Sequence, residues 1–245
     1  MRVQIVGSGD AFGSGGRFNA CFHVVGERTN FLIDCGASSL IALKRWGIDR
    51  DAIDTILFSH FHGDHFGGVP YFVLDAQLVS RRARPLTLAG PPGLEGWYAR
   101  ALEAAFPGAS ATRRRFEISL QELEIGKAVE IGALRVTAFP VVHDERAGPC
   151  LALRVEAEGK VIAYSGDTEW TDTLIEAARD ADLFICECYV RDNPAKRHMS
   201  LAALEARLAE IHPKRLVLTH MSEDMLSRRG EVSHQSAEDG MVLVI

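Results

Sequence analysis

The sequence lacks a long hydrophobic run and an excess of basic residues, and both absences restrict its function. No apolar stretch approaches the roughly 18 residues that a membrane span needs. The apolar part of the opening MRVQIVGSGD is also too short for a signal peptide. We therefore expect a cytoplasmic protein with no membrane partner. The net charge of −6 gives the chain no general attraction to nucleic acid. Two short basic runs, 81–84 and 113–115, are typical of solvated loops rather than phosphate sites.

Cysteine is scarce, and the chain has no CxxC pair among its five cysteines. Four of them, Cys21, Cys35, Cys150 and Cys186, lie in apolar contexts typical of strands. We expect these four to be buried free thiols. The context of Cys188 is less clear.

The order of apolar runs and turn signals predicts an α/β protein. Hairpins are expected across residues 27–30 and 158–159. The predicted helices comprise a segment from the cap Ser38 to the stop Gly47, one after Pro70, one over Leu94–Phe106, one near 171–179 and one capped by Ser200. A polar loop is expected at about 226–238. Because strand-rich segments recur in both halves without a linker, we expect two sheets packed face to face with helices outside, forming one domain over 1–245.

Polar residues follow four of the apolar runs. TILF leads to His60, VTAFPVV to His143, VIAYSG to Asp167 and LVLT to His220. Loops at strand ends can converge on one rim, so four strands can build one site.

The segment HFHGDH is too rich in ionisable groups to be surface decoration, because neighbouring groups of this kind repel each other unless a cation organises them. Imidazoles and carboxylates without thiolates suit zinc, manganese or iron(II). One tetrahedral ion needs about four ligands. The sequence offers seven candidates, which fit two ions if one carboxylate bridges: His60, His62, Asp64, His65, His143, Asp167 and His220. The isolated His23, His212 and His234 are typical of structural or solvated histidines.

HFHGDH, together with His143, the SGDT around Asp167 and the LTH ending at His220, resembles the metallo-β-lactamase superfamily. The resemblance spans essentially the whole chain and implies a four-layer αββα sandwich with a two-metal site at the sheet edges. It implies that His60, His62 and His143 bind one ion, that Asp64, His65 and His220 bind the other, and that Asp167 bridges them. Two ions about 3.5–4 Å apart can hold a bridging hydroxide as the nucleophile. Asp64 would also orient that hydroxide.

The segment ICECYVRDNPAKRHMS resembles the tRNase Z-like and phosphodiesterase branch of this superfamily. The resemblance implies a catalytic pair in which Glu187 fixes the tautomer of His198. His198 would then bind a phosphoryl oxygen or protonate the leaving alkoxide. The alternative is that His198 caps the next helix or faces solvent. The opening GSGDAFGSGGRFNAC resembles the branch's first loop, with Arg17 and Asn19 as candidate substrate contacts, although a plain strand connection fits equally well.

True tRNase Z enzymes insert a long tRNA-gripping arm between the residues matching His143 and Asp167, but only 24 positions separate these two here. We therefore expect a phosphodiesterase with two divalent ions, zinc first and manganese or iron as alternatives, acting on a small phosphodiester or nucleotide-like substrate. A lactone or thioester hydrolase with the same centre is the alternative. A tRNA 3′-processing endonuclease and a non-hydrolytic di-metal protein are less favoured, and structured nucleic acid is not an expected partner. The family suggests a homodimer.

Overall fold

The computed structural model describes residues 1–192 and 195–245, and two seven-stranded sheets form its framework. The first sheet has the order β14-β1-β2-β3-β4-β5-β6. Its strands are β1 (Arg2–Gly7), β2 (Cys21–Val25), β3 (Asn30–Ile33), β4 (Thr55–Leu57), β5 (Leu86–Gly90), β6 (Ile118–Glu122) and β14 (Val242–Val244). Pairing is antiparallel from β14 to β3 and parallel from β3 to β6.

The second sheet repeats this mixed pattern in the order β13-β12-β11-β10-β9-β8-β7. Its strands are β7 (Ala128–Ile131), β8 (Leu134–Pro140), β9 (Leu151–Ala157), β10 (Lys160–Tyr164), β11 (Leu183–Glu187), β12 (Leu216–Thr219) and β13 (Gln235–Ser236). Pairing is antiparallel from β7 to β10 and parallel from β10 to β13. The expected hairpins β2–β3 and β9–β10 are both present.

Helices cover the outer faces of both sheets. They are α1 (Ser39–Arg45), α2 (Gly63–Phe66), α3 (Val69–Leu78), α4 (Leu94–Ala105), α5 (Thr173–Ala178), α6 (Leu201–Ile211) and α7 (Glu223–Ser227). One buried cluster fills the space between the sheets, where Phe22 of β2 meets Tyr164 of β10 edge-on. A second cluster lies under α3 and α4, and a third under α5 and α6. The layers are therefore αββα, which confirms the expected fold class.

Three expectations about local structure need correction. Ser38 precedes α1, but its hydroxyl hydrogen-bonds Asn19 and does not cap the helix. Arg82 is buried rather than solvated, because its guanidinium donates to backbone carbonyls of five residues: Arg50, Asp51, Ile53, Arg84 and Pro85. The region 226–238 is not wholly a loop, since it contains the end of α7, a 3₁₀ turn at Arg229–Glu231 and β13.

All five cysteines, Cys188 among them, are buried free thiols. Across 1–192 and 195–245, no helix has both the length and the apolar character of a membrane span.

Candidate metal centre and active site

The loops that follow β4, β8, β10 and β12 converge at one edge of the sandwich and line a cavity of about 360 Å³. Six histidine and aspartate side chains line it: His62, Asp64, His143, Asp167, His198 and His220. Ala11, Phe12, Gly63 and Tyr189 complete the wall. His60 and His65 are fully buried beside these residues. The structure thus brings together all seven candidate ligands, as their positions after strands predicted.

His60, His62 and His143 form the first group, in which the ligand atoms all lie within 4.8 Å of one another. Nδ1 of His62 is 3.0 Å from Nε2 of His60 and 3.1 Å from Nε2 of His143. Burial lowers the pKa of all three imidazoles. Neutral imidazoles carry the lone pairs that a metal ion requires.

Asp64, His65, Asp167 and His220 form the second group, also within 4.8 Å. Nε2 of His65 and Oδ1 of Asp167 are buried without a hydrogen-bond partner in the described part of the chain, although they are 3.2 Å apart. A cation between them would satisfy both atoms, so the residues fit a metal ion. Asp167 Oδ2 lies 3.3 Å from His220 Nε2 and 3.8 Å from His143 Nε2. This carboxylate therefore faces both groups.

Two contacts behind the ligands fix the orientation of their rings. Asp34, fully buried after β3, lies 2.7 Å from Nδ1 of His65 and accepts from both the backbone N and the hydroxyl of Ser59. The carbonyl oxygen of Arg197 accepts from Nδ1 of His143 at 2.7 Å. Partners of this kind hold a histidine tautomer and turn the other nitrogen toward the metal. Sequence reasoning missed Asp34, although an aspartate directly after the apolar run FLI is an available signal.

Glu187 and His198 form a pair beside the second group. Glu187 ends β11, is fully buried, and has Oε2 3.0 Å from Nδ1 of His198. Its Oε1 accepts from the backbone N of Thr168. The ring of Tyr189 stacks on His198 with centroids 4.6 Å apart. Sequence reasoning did not find Tyr189, because nothing in the sequence shows that its ring packs on His198.

Arg17 and Asn19 are the candidate substrate contacts of the first loop. Neither is among the residues that line the cavity. Arg17 donates to Ser8 Oγ and to the carbonyl oxygen of Ala237, and Asn19 donates to the carbonyl oxygen of Asp10. These side chains hold the first loop against its neighbours.

The three isolated histidines stay outside the site. His23 pairs with Asn30, and His234 pairs with Glu205. His212 ends α6 in the left-handed conformation.

Comparison with known proteins agrees with this geometry. The family model of the Beta-lactamase superfamily domain matches residues 29–221. The chain is 27% identical to a ribonuclease Z from Methanosarcina acetivorans, over 91% of this chain and 88% of that protein. It is similar to the short form of human tRNase Z, with a TM-score of 0.81, 25% identity and coverage of 100% of this chain and 99% of the other. A diphosphatase from the PhnP family shares the fold, with a TM-score of 0.76, 21% identity and coverage of 100% and 97%.

Proposed function

Since the chain belongs to the tRNase Z-like branch of the metallo-β-lactamase superfamily and is a metal-dependent hydrolase, we propose that it is a phosphodiesterase for a small phosphodiester or nucleotide-like substrate. Its seven candidate ligands would hold two divalent ions. His60, His62 and His143 would bind one, Asp64, His65 and His220 the other, and Asp167 would contact both. Nitrogen and carboxylate ligands favour zinc, with manganese or iron(II) as alternatives. Ions held there lower the pKa of a water molecule and offset negative charge on the substrate.

The observation that carries the proposal is the contact between Glu187 and His198. Glu187 holds the Nδ1 side of the ring at 3.0 Å, and this leaves Nε2 for a molecule in the cavity that His198 lines. An N–H at Nε2 can donate to a non-bridging phosphoryl oxygen or give its proton to the leaving alkoxide. A thioester releases a thiolate, which leaves more readily than an alkoxide and needs no such donor. The pair therefore favours phosphodiester cleavage.

The remaining catalytic roles are assigned to side chains of the protein. Asp64 lines the cavity and is proposed to accept a hydrogen bond from the attacking water and so to orient it. Its Oδ2 is already held between His65 and His220, at 3.2 and 3.1 Å from their Nε2 atoms. These contacts restrict the carboxylate to one orientation. Proton transfer and water orientation are thus assigned to different residues, His198 and Asp64.

The names of the relatives favour a second candidate, cleavage of an RNA phosphodiester. Two observations weigh against a structured RNA. Between His143 and Asp167 the chain forms a 3₁₀ turn at Glu145–Ala147 and the hairpin β9–β10. The chain as a whole is acidic, with a net charge of −6. Incubation with a tRNA precursor separates the candidates, since we expect no specific cleavage under conditions in which a small phosphodiester is hydrolysed.

Substitution of His198 tests the proposal directly. In the metal-loaded protein, His198→Ala is expected to lower kcat for a cyclic nucleotide, whose leaving group is an alkoxide, by about 100-fold or more. The loss should be smaller for bis-p-nitrophenyl phosphate, because p-nitrophenolate leaves without a proton. The metal content should stay that of the unsubstituted protein, and any thioester hydrolysis should change far less. His234→Ala is the matched control, because His234 pairs with Glu205 away from the cavity. Unchanged phosphodiester turnover in His198→Ala would show that the assigned role is wrong.

A further inference from the structure

Phe12 exposes an aromatic ring at the wall of the catalytic cavity. Its exposed fraction is 83%, the highest of the large hydrophobic residues in the described part of the chain. An exposed ring adds little to the stability of the fold, because the gain from apolar burial depends on the area removed from water. Phe12 nevertheless lines the same cavity as Asp64, His198 and His220. Its position is therefore better explained by contact with a ligand.

The loop that carries Phe12 is held in one conformation. The buried Asp10 carboxylate accepts from the backbone N of Phe12 at 3.2 Å and from that of Ser14 at 2.9 Å. Gly15 donates to Glu223 at 2.8 Å. Gly15 has a φ of 64°, and a Cβ there would lie 2.9 Å from Leu226. These contacts hold the backbone that carries the ring before any ligand binds, and preorganisation of this kind reduces the entropic cost of binding.

The cavity wall is poor in positive charge. Among the described residues that line it, there is no lysine or arginine. Apart from the ions that the candidate ligands would hold, this wall offers no fixed positive charge to additional phosphate groups. A flat uncharged substituent, in contrast, could pack on the ring of Phe12. Phe12 follows β1 of the first sheet, whereas His198 and Tyr189 follow β11 of the second. Phe12 therefore reaches the cavity from a different sheet than His198 and Tyr189 do.

We propose that Phe12 determines specificity by stacking on a planar aromatic substituent, a nucleobase or an aryl group, on the ester that is retained after cleavage. This inference rests on the proposed phosphodiesterase function and specifies its substrate class. Stacking between an aromatic side chain and a base is strong and tolerates base identity, because every base has a π-face. A single exposed ring therefore suffices to select aromatic esters over alkyl esters.

Four phosphodiesters with the same p-nitrophenolate leaving group test this inference, with methyl, cyclohexyl, phenyl or thymidine-5′-yl as the second ester. Phe12→Ala should lower kcat/KM for the phenyl and thymidine esters by about 5- to 150-fold, the range expected when a base loses its aromatic partner. The loss should appear mainly in KM, since stacking acts on bound substrate and transition state alike. The losses for the methyl and cyclohexyl esters should be at least five-fold smaller. Phe12→Trp should retain the preference, and Phe12→Leu should not.

Ile41→Ala is the matched control, because Ile41 is 65% exposed and lies outside the cavity wall. It should leave all four rates unchanged. Losses in Phe12→Ala confined to the thymidine ester would support a nucleoside, and losses confined to the phenyl ester would support an aryl ester. Equal losses on all four esters would overturn the inference.

A binding measurement separates this inference from the proposed function. Thymidine 5′-monophosphate should quench the fluorescence of the new tryptophan in Phe12→Trp beyond any change in the unsubstituted protein, and inorganic phosphate should not. Quenching without hydrolysis of any ester would support Phe12 stacking while the phosphodiesterase function fails. Absence of specific quenching would overturn the stacking.

Discussion

The Asp34 carboxylate orients the candidate ligand His65 by contacting the ring nitrogen that does not face the metal site. It contacts Nδ1 of His65 at 2.7 Å and accepts from Ser59 at 2.8 Å. Its backbone has a φ of 57°, a left-handed conformation that aspartate and asparagine tolerate better than most residues. Asparagine can therefore occupy this position without new backbone strain, and the substitution isolates the lost carboxylate oxygen.

Asp34→Asn is expected to weaken metal binding by about 10- to 100-fold, because removal of such a partner loosens the ligand's orientation. Competition with a chromogenic chelator measures the affinity. Asp54→Asn is the control, since that carboxylate is an exposed partner of Arg84. Unchanged affinity in Asp34→Asn would mean that Ser59 and the surrounding packing orient His65 without it.

At the residue scale, the cluster of seven candidate ligands could be predicted, and the residues around it could not. The density of HFHGDH and the polar residues after strands identify the seven candidate ligands without any structure. Tyr189 and Phe12 acquire their positions only when loops from different strands meet. The acceptors of the Arg17 guanidinium, Ser8 Oγ and the carbonyl oxygen of Ala237, could not be predicted either.

At the scale of elements, Asp75 of α3 connects two neighbouring segments. Its carboxylate lies 2.5 Å from Lys44 of α1 and 2.8 Å from Arg50 in the following 3₁₀ turn. Burial raises the pKa of Asp75, but the ion pairs with Lys44 and Arg50 outweigh burial and hold the pKa below its usual value. A carboxyl with a lower pKa in the folded state stabilises the fold above its unfolded pKa, and this contribution is lost as the pH falls through the folded pKa.

Asp75→Asn should therefore lower the free energy of unfolding by about 1 to 2 kcal/mol at pH 7, a value reduced because the cations remain partly solvated. The difference from the unsubstituted protein should persist to about pH 5 and narrow below about pH 4. Urea unfolding at pH 7, 5 and 3.5 measures it. Glu124→Gln, which removes an exposed pair with Lys127, is the control. A difference that grew on acidification would contradict the assigned direction of the pKa.

Most elements could be predicted because their apolar spacing and stop signals are local. Ser200 caps α6 by accepting from Ala203, and α6 ends before Pro213. The burial of Arg82, in contrast, could not be predicted. A basic run is typical of a solvated loop, but here folding places five carbonyl acceptors around one guanidinium. Three of these acceptors, on Arg50, Asp51 and Ile53, are distant in sequence and cannot be recognised from the run itself.

At the scale of the whole molecule, the candidate metal centre joins the two sheets. The HFHGDH segment follows β4 of the first sheet, whereas His143, Asp167 and His220 follow β8, β10 and β12 of the second. An ion that binds both sets therefore links the sheets in the native state alone. Binding that is specific to the native state stabilises it by mass action.

Zinc at about a hundred times its Kd should stabilise the metal-free protein by about 2.7 kcal/mol. For a chain of 245 residues this corresponds to a rise in Tm of roughly 5 to 11 °C. Differential scanning fluorimetry after chelator treatment measures the shift. Asp167→Asn should reduce the shift strongly, whereas Asp54→Asn should retain it. An unchanged Tm on addition of zinc would contradict the link between the sheets.

We also propose that residues 1–245 form a single domain. One buried cluster contains residues of both sheets, among them Phe22, Phe31, Val136 and Tyr164. A core shared in this way should unfold cooperatively. Urea denaturation followed by tryptophan fluorescence and by far-UV circular dichroism should give coincident transitions. Two separated transitions would contradict the proposal.

The His/Asp cluster and the Glu187–His198 pair are assigned the hydrolysis of a phosphodiester. The most direct measurement is turnover of bis-p-nitrophenyl phosphate by purified protein whose metal content has been determined in the same preparation. This assignment predicts two divalent ions per chain and hydrolysis that a chelator abolishes and added metal restores. Protein loaded with zinc, manganese or iron(II) that hydrolyses thioesters or lactones but no phosphodiester would contradict it.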